Sequence, residues 1–71
     1  MQDIQRRLGA RIRNAREQKS LSQEAFADAC GLHRSYMGAV ERGEKNLTLA
    51  TLRTIAQTLG TTISALLRGI A

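Results

Sequence analysis

The side chains best equipped for chemistry lie in one stretch, LSQEAFADACGLHRSYMGAVE (residues 21–41), and in the short basic run from Arg42 to Asn46. Arg34 carries a planar fork of donors that can bridge O6 and N7 of a guanine, or two oxygens of a phosphate. Ser35 beside it is short, so a base edge, a phosphate and plain solvent are all open to it. Gln23 stands where a helix should begin, and there backbone amides and the helix dipole attract an anion. Arg42, Lys45 and Asn46 add two cations and an amide, which suit a phosphate contact or a solvated loop. Covalent chemistry is poorly provided for. His33 is the one histidine and Cys30 the one cysteine, and no third group or Gly-rich phosphate loop accompanies them. Cys30 also falls on the predicted buried face of its helix. No enzyme, no cofactor and no metal site is expected.

These residues need elements to hold them, and the periodicity predicts five helices with short joints. The first runs from about Asp3 to Lys19, with Ile4, Leu8, Ile12 and Ala15 at helical spacing and Arg6, Arg7, Arg11 and Arg13 on other faces. Ser22 is a good N-cap for a second helix from Gln23 to Cys30, with Glu24 in its first turn. That helix buries Phe26, Ala27 and Cys30 and ends at Gly31. A third follows from about Arg34 to Arg42, with Met37 and Val40 inward and Gly43 closing it. His33, Arg34, Ser35, Gly38 and Ala39 are left on its other faces. Thr48 caps a fourth helix with Leu49, Leu52, Ile55, Ala56 and Leu59 inside, stopped by Gly60. Thr62 caps a short fifth carrying Ile63, Leu66 and Leu67. Two short helices joined by a tight Gly-containing turn are the sequence form of a helix-turn-helix, whose second helix enters the DNA major groove.

Composition agrees with a small helical domain. Seventy-one residues make one domain, 1–71, with 42% hydrophobic and 24% charged residues. A chain of this size buries only about 60% of its unfolded surface, so a partner subunit would help to stabilise it. Phe26 and Tyr36 are the only aromatics and there is no Pro, which disfavours an all-β sandwich. A lone cysteine excludes an internal disulfide framework, and no apolar run approaches the ~18 residues of a membrane span. The first residues lack the order of a signal peptide. Eleven Lys and Arg against six Asp and Glu give a formal charge of +5. Nucleic acid is the polyanion this excess fits best, with anionic lipid a weaker option and mere solubility the bland one.

From Leu8 to Leu67 the chain resembles the Cro/C1-type helix-turn-helix domain of phage repressors, the XRE family. The residues that carry the resemblance are Leu21-Ser22-Gln23, Ala27, Gly31, Glu41-Arg42-Gly43, the spacing of Leu52 to Gly60, and Leu66-Leu67. His33-Arg34-Ser35-Tyr36-Met37, followed by Glu41-Arg42-Gly43 and Asn46-Leu47-Thr48, is similar to the controller proteins of restriction–modification systems. The resemblance implies an all-α, five-helix, lambda-repressor-like fold. It also implies that Gln23 braces a phosphate contact and that the Arg42–Asn46 loop holds another, Asn46 clasping it with nearby amides. Tyr36 then points its hydroxyl at the backbone, against the alternative of a half-buried core tyrosine. Arg16 and Glu41 match a pair that forms a buried salt bridge in related repressors.

Three positions depart from the family. His33 stands where Thr, Ser or Asp is usual, so it either contacts a phosphate when protonated or caps its helix poorly. Gly38 and Ala39 replace longer polar readers, and offer at most a methyl contact to thymine or room for close approach. Sequence choice is therefore expected to be shared between Arg34 and DNA shape.

Ile63, Leu66, Leu67 and Ile70 crowd into eight residues. By resemblance the first two serve mainly the monomer core. Leu67 and Ile70, with the exposed side of the fourth helix, are expected to form an apolar patch for homodimerisation, unless the protein dimerises on DNA alone. The expectation is thus a homodimeric, sequence-specific regulator of transcription on a two-fold symmetric operator in double-stranded DNA, cytoplasmic and of prokaryotic or phage origin, with no small-molecule ligand and no membrane partner. The rival class is a protein-interaction module such as an antitoxin. The short tail after Leu67 argues against that class.

Overall fold

The computed structural model describes residues 2–70, with side chains from Ile4 onward. Its elements are α1 (Gln2–Gln18), α2 (Gln23–Cys30), α3 (Arg34–Glu41), α4 (Leu49–Leu59) and α5 (Ile63–Leu67). Local chemistry sets the boundaries. The hydroxyls of Ser22, Thr48 and Thr62 accept from the amides of Ala25, Thr51 and Ala65, so three helices begin on a satisfied cap. Gly31 ends α2 in the left-handed region, at φ 72°, and its amide and that of Leu32 return to the carbonyls of Asp28 and Ala27. That tight reversal sets α3 across α2. His33 sits at the N-cap of α3 without a side-chain bond to it, so this helix starts uncapped.

Phe26, Ile12, Met37 and Ile55 are the largest fully buried side chains, and Leu8, Val40, Leu52, Leu59 and Leu66 complete the core around them. The path of α1 over α3 depends on two missing side chains. A Cβ on Gly9 would lie 2.4 Å from the Val40 carbonyl oxygen, and one on Gly43 would lie 2.5 Å from Cα of Arg6. Both contacts are with atoms that cannot rotate away, so α1 rests directly on the C-terminal end of α3.

Three sequence expectations need correction. Leu49, expected inside, is 75% exposed, because it lies on the rim of the apolar stripe in the first turn of α4. Ile4 is 44% exposed, one turn beyond the body of the core. Ile70, expected on an outward patch, is buried, and so is Leu66. The cause is a clamp from α1: Arg7 Nη2 donates to the Gly69 carbonyl at 2.9 Å, and Arg11 Nη1 donates to the carbonyls of Leu66 and Arg68. Cations at a helix C-terminus satisfy its orphan carbonyls and oppose its dipole. Held this way, the tail turns at Gly69 and lays Ile70 on the core.

Candidate nucleic-acid interface

The site is built on a buried polar network. Arg16 Nε donates to Glu41 Oε2 at 2.8 Å, Nη2 to Oε1 at 3.1 Å, and Nη1 to the Leu21 carbonyl at 2.8 Å. Hydrogen bonding to Glu41 raises the Arg16 pKa above its ordinary value, while burial pulls the other way. The network ties α1 to α3 and to the start of α2. Gln23 joins it from α2, its Nε2 donating to Glu41 Oε1 at 3.1 Å. One N–H of that amide is thereby occupied, which leaves the other for a ligand. Ser22 takes the amides of Ala25 and Phe26, so those of Gln23 and Glu24 are the unpartnered start of α2.

Helical geometry then sorts the residues of α3. Met37, Val40 and Glu41 face inward, and the opposite stripe carries Arg34, Ser35, Gly38 and Ala39, with Arg42 just past the helix end. Arg34 and Ser35 are exposed at its N-terminus. Gly38 is buried beneath Gln23 and Arg42: a Cβ there would stand 3.1 Å from Arg42 Nη1 and 3.3 Å from Gln23 Oε1. Ala39 is only 7% exposed, on the floor of a depression shared with His33, Ser35, Tyr36, Glu44 and Lys45. The exposed methyl contact expected for Ala39 is thus reduced to a recessed one. Tyr36 is half-buried and packs against the core, and Lys45 Nζ lies 5.9 Å from its ring centroid. That distance allows a cation–π contact.

The loop after α3 differs from expectation in its partners. Arg42 is in a two-pronged pair with Glu44, Nε to Oε2 at 3.0 Å and Nη2 to Oε1 at 3.2 Å. That pair raises the Arg42 pKa and lowers the Glu44 pKa, hydrogen bonding being the main cause in both. Asn46 Oδ1 accepts from Gln5 Nε2 at 2.7 Å, which fastens the loop to α1. A second shallow groove, beside the depression at Ala39, is lined by Arg13, Arg16, Gln23, Gly38, Glu41 and Arg42. Arg13 and Glu44 were not among the expected site residues. The signal for Glu44 was an acid two places after Arg42; Arg13 had none beyond its charge. The fold therefore gathers Gln23, Arg34, Ser35, Arg42 and Lys45 on and beside α3, with His33 at its start, while Asn46 is turned to Gln5 of α1. Leu67 and Ile63, half-buried on α5, are on a separate element.

Among the described residues no group of His, Cys, Asp and Glu is placed to hold a metal ion, and no helix is long and apolar enough to cross a membrane. A short helix with an exposed Arg at its N-terminus, flanked by the start of another helix and by loop cations, is an arrangement that suits docking in a major groove. Comparison with known proteins agrees. The helix-turn-helix family model matches residues 12–66. The control protein C.SmaI of Serratia marcescens is 46% identical over 65 residues, covering 92% of this chain and 77% of that one. The control protein C.MunI of a Mycoplasma species is 39% identical over 71 residues, covering 99% and 96%. The restriction-modification controller protein C.AhdI of Aeromonas hydrophila superposes with a TM-score of 0.83 at 41% identity, over 86% of this chain and 92% of that one. With α2 and α3 in this geometry and relatives of this kind, the chain belongs to the helix-turn-helix family, in its XRE branch, and is a DNA-binding regulator of transcription.

Proposed function

We propose that this regulator acts as a homodimer on a two-fold symmetric operator in the cytoplasm, and that it controls restriction–modification genes. The gene class is supported by similarity to the control proteins named above. The DNA-reading assignment is carried by one observation: Arg34 and Ser35 stand exposed at the N-terminus of α3. Arg34 reads a base edge in this account. Gln23, the first amides of α2, Arg42 and Lys45 grip phosphates and fix the register. His33 and Asn46 contribute at the rim, and Tyr36 and Ala39 form a recessed wall.

The dimer reading is supported by apolar surface left over on α4 and α5. Leu49 is largely exposed, and Ile63 and Leu67 are half-buried, whereas Leu66 and Ile70 serve the core of their own subunit. A subunit measuring 29 × 22 × 21 Å has the width for two copies, side by side, to present their α3 helices roughly 34 Å apart, one DNA turn. Selecting bound sequences from random duplex DNA tests the proposal. A consensus with two-fold symmetry is expected. An asymmetric single site would remove the dimer, and no enriched sequence would favour a protein-binding role.

A further inference from the structure

A carboxylate stands among the cations of the recognition surface. Glu44 shares the depression beside α3 with Ser35, Ala39 and Lys45, and its two oxygens hold Nε and Nη2 of Arg42 at 3.0 and 3.2 Å. The placement is imposed by the backbone. The Glu44 amide donates to the Ala39 carbonyl at 2.9 Å and the Gly43 amide to the Val40 carbonyl at 3.0 Å, so this turn is anchored to α3 itself. The third arm of the guanidinium, Nη1, lies over Gly38 in the neighbouring groove. Arg42 thus spans the outward stripe of α3 with its charge matched by Glu44 and two of its donor groups occupied.

We propose that Glu44 is a specificity-determining residue, which competes with DNA phosphate for Arg42. The inference rests on the DNA-binding reading above. Both side chains are more than half exposed, at 61% and 56%, and exposed ion pairs are weak, so a well-placed phosphate can replace the carboxylate. A phosphate comes close enough to displace the carboxylate only when α3 is seated, which requires Arg34 to find its base edge; freed of Glu44, the long Arg42 side chain reaches a more distant phosphate as well. On a duplex of the wrong sequence the helix rides higher, Glu44 keeps Arg42, and the carboxylate repels the backbone. The pair therefore penalises wrong sites more than the right one, which is how an unfavourable element sharpens discrimination.

Substituting E44Q keeps the shape of the side chain and removes its charge. Affinities and salt slopes would be measured for wild type and E44Q on the selected operator and on a duplex lacking it. Releasing one Arg to a phosphate should tighten binding to the non-operator duplex about 5-fold at ~0.15 M salt and steepen its log–log salt slope by about 0.9. The operator should gain less, so the ratio of affinities falls. In an Arg42→Ala background the gain from E44Q should shrink. Equal gains on both duplexes, weaker operator binding, or a gain undiminished without Arg42 would each overturn the competition. A wild-type protein that bound neither duplex in a salt-dependent way would instead overturn the DNA-binding reading, and the inference with it.

Discussion

Arg16 donates three hydrogen bonds, two to Glu41 and one to the Leu21 carbonyl, from a side chain that is almost wholly out of water. Burying two charges costs desolvation that their attraction only roughly offsets, but removing one partner strands the other. Arg16→Met should therefore destabilise by about 3–5 kcal/mol, read from denaturant midpoints. Arg16→Met with Glu41→Leu should recover part of that loss, since no lone carboxylate remains. Cys30 gives the pH-dependent counterpart. Burial pushes its thiol above the ordinary value, with a hydrogen bond involving Thr58 acting the other way. The folded state thus favours the protonated thiol. Its stabilising contribution is present below the thiol pKa of the unfolded chain and is lost as pH rises through the folded value. Above about pH 9 the melting temperature of the wild type should fall more steeply than that of Cys30→Ala. Parallel curves would place the thiol in contact with water.

At the scale of elements, what was legible in the sequence was what neighbours in the chain decide. Ser22, Thr48 and Thr62 before their helices and Gly31 and Gly60 after them are local signals, and each helix begins or ends where they stand. The bounds of α3, between Gly31 and Gly43, could be placed for the same reason. Contacts across the fold were not legible. Gly9 and Gly43 matter because of backbone atoms far away in sequence, and the Arg7 and Arg11 clamp joins residues 55 to 62 positions apart. Without that clamp the apolar spacing of Leu67 and Ile70 pointed to a shared outward patch, and Ile70 was misplaced. The Glu44 pair is local, an acid two places after Arg42, but helical periodicity says nothing of a loop. The core itself was readable. Phe26 is fully buried where α2 meets its neighbours, and Phe26→Ala should cost about 3–5 kcal/mol through the cavity it leaves. Thermal or denaturant unfolding would check this. In so small a domain the loss approaches the whole stability.

At the scale of the whole molecule, the charge of +5 and the shape act together. Cations around α3 supply attraction to any duplex, and in the proposed dimer the arrangement of two subunits decides which duplex can satisfy both at once. If Leu67 lies in the dimer interface, Leu67→Lys should give a folded monomer by sedimentation, with operator binding much weakened. A variant that stayed dimeric would move the interface elsewhere. The central claim is that α3 reads sequence through Arg34 while its surroundings hold the backbone. Paired selections from random duplex DNA, one with wild type and one with Arg34→Ala, test it most directly. The account predicts a symmetric consensus for wild type and, for Arg34→Ala, the same consensus with preference lost at one base pair in each half-site. An Arg34→Ala consensus identical to that of the wild type would contradict it.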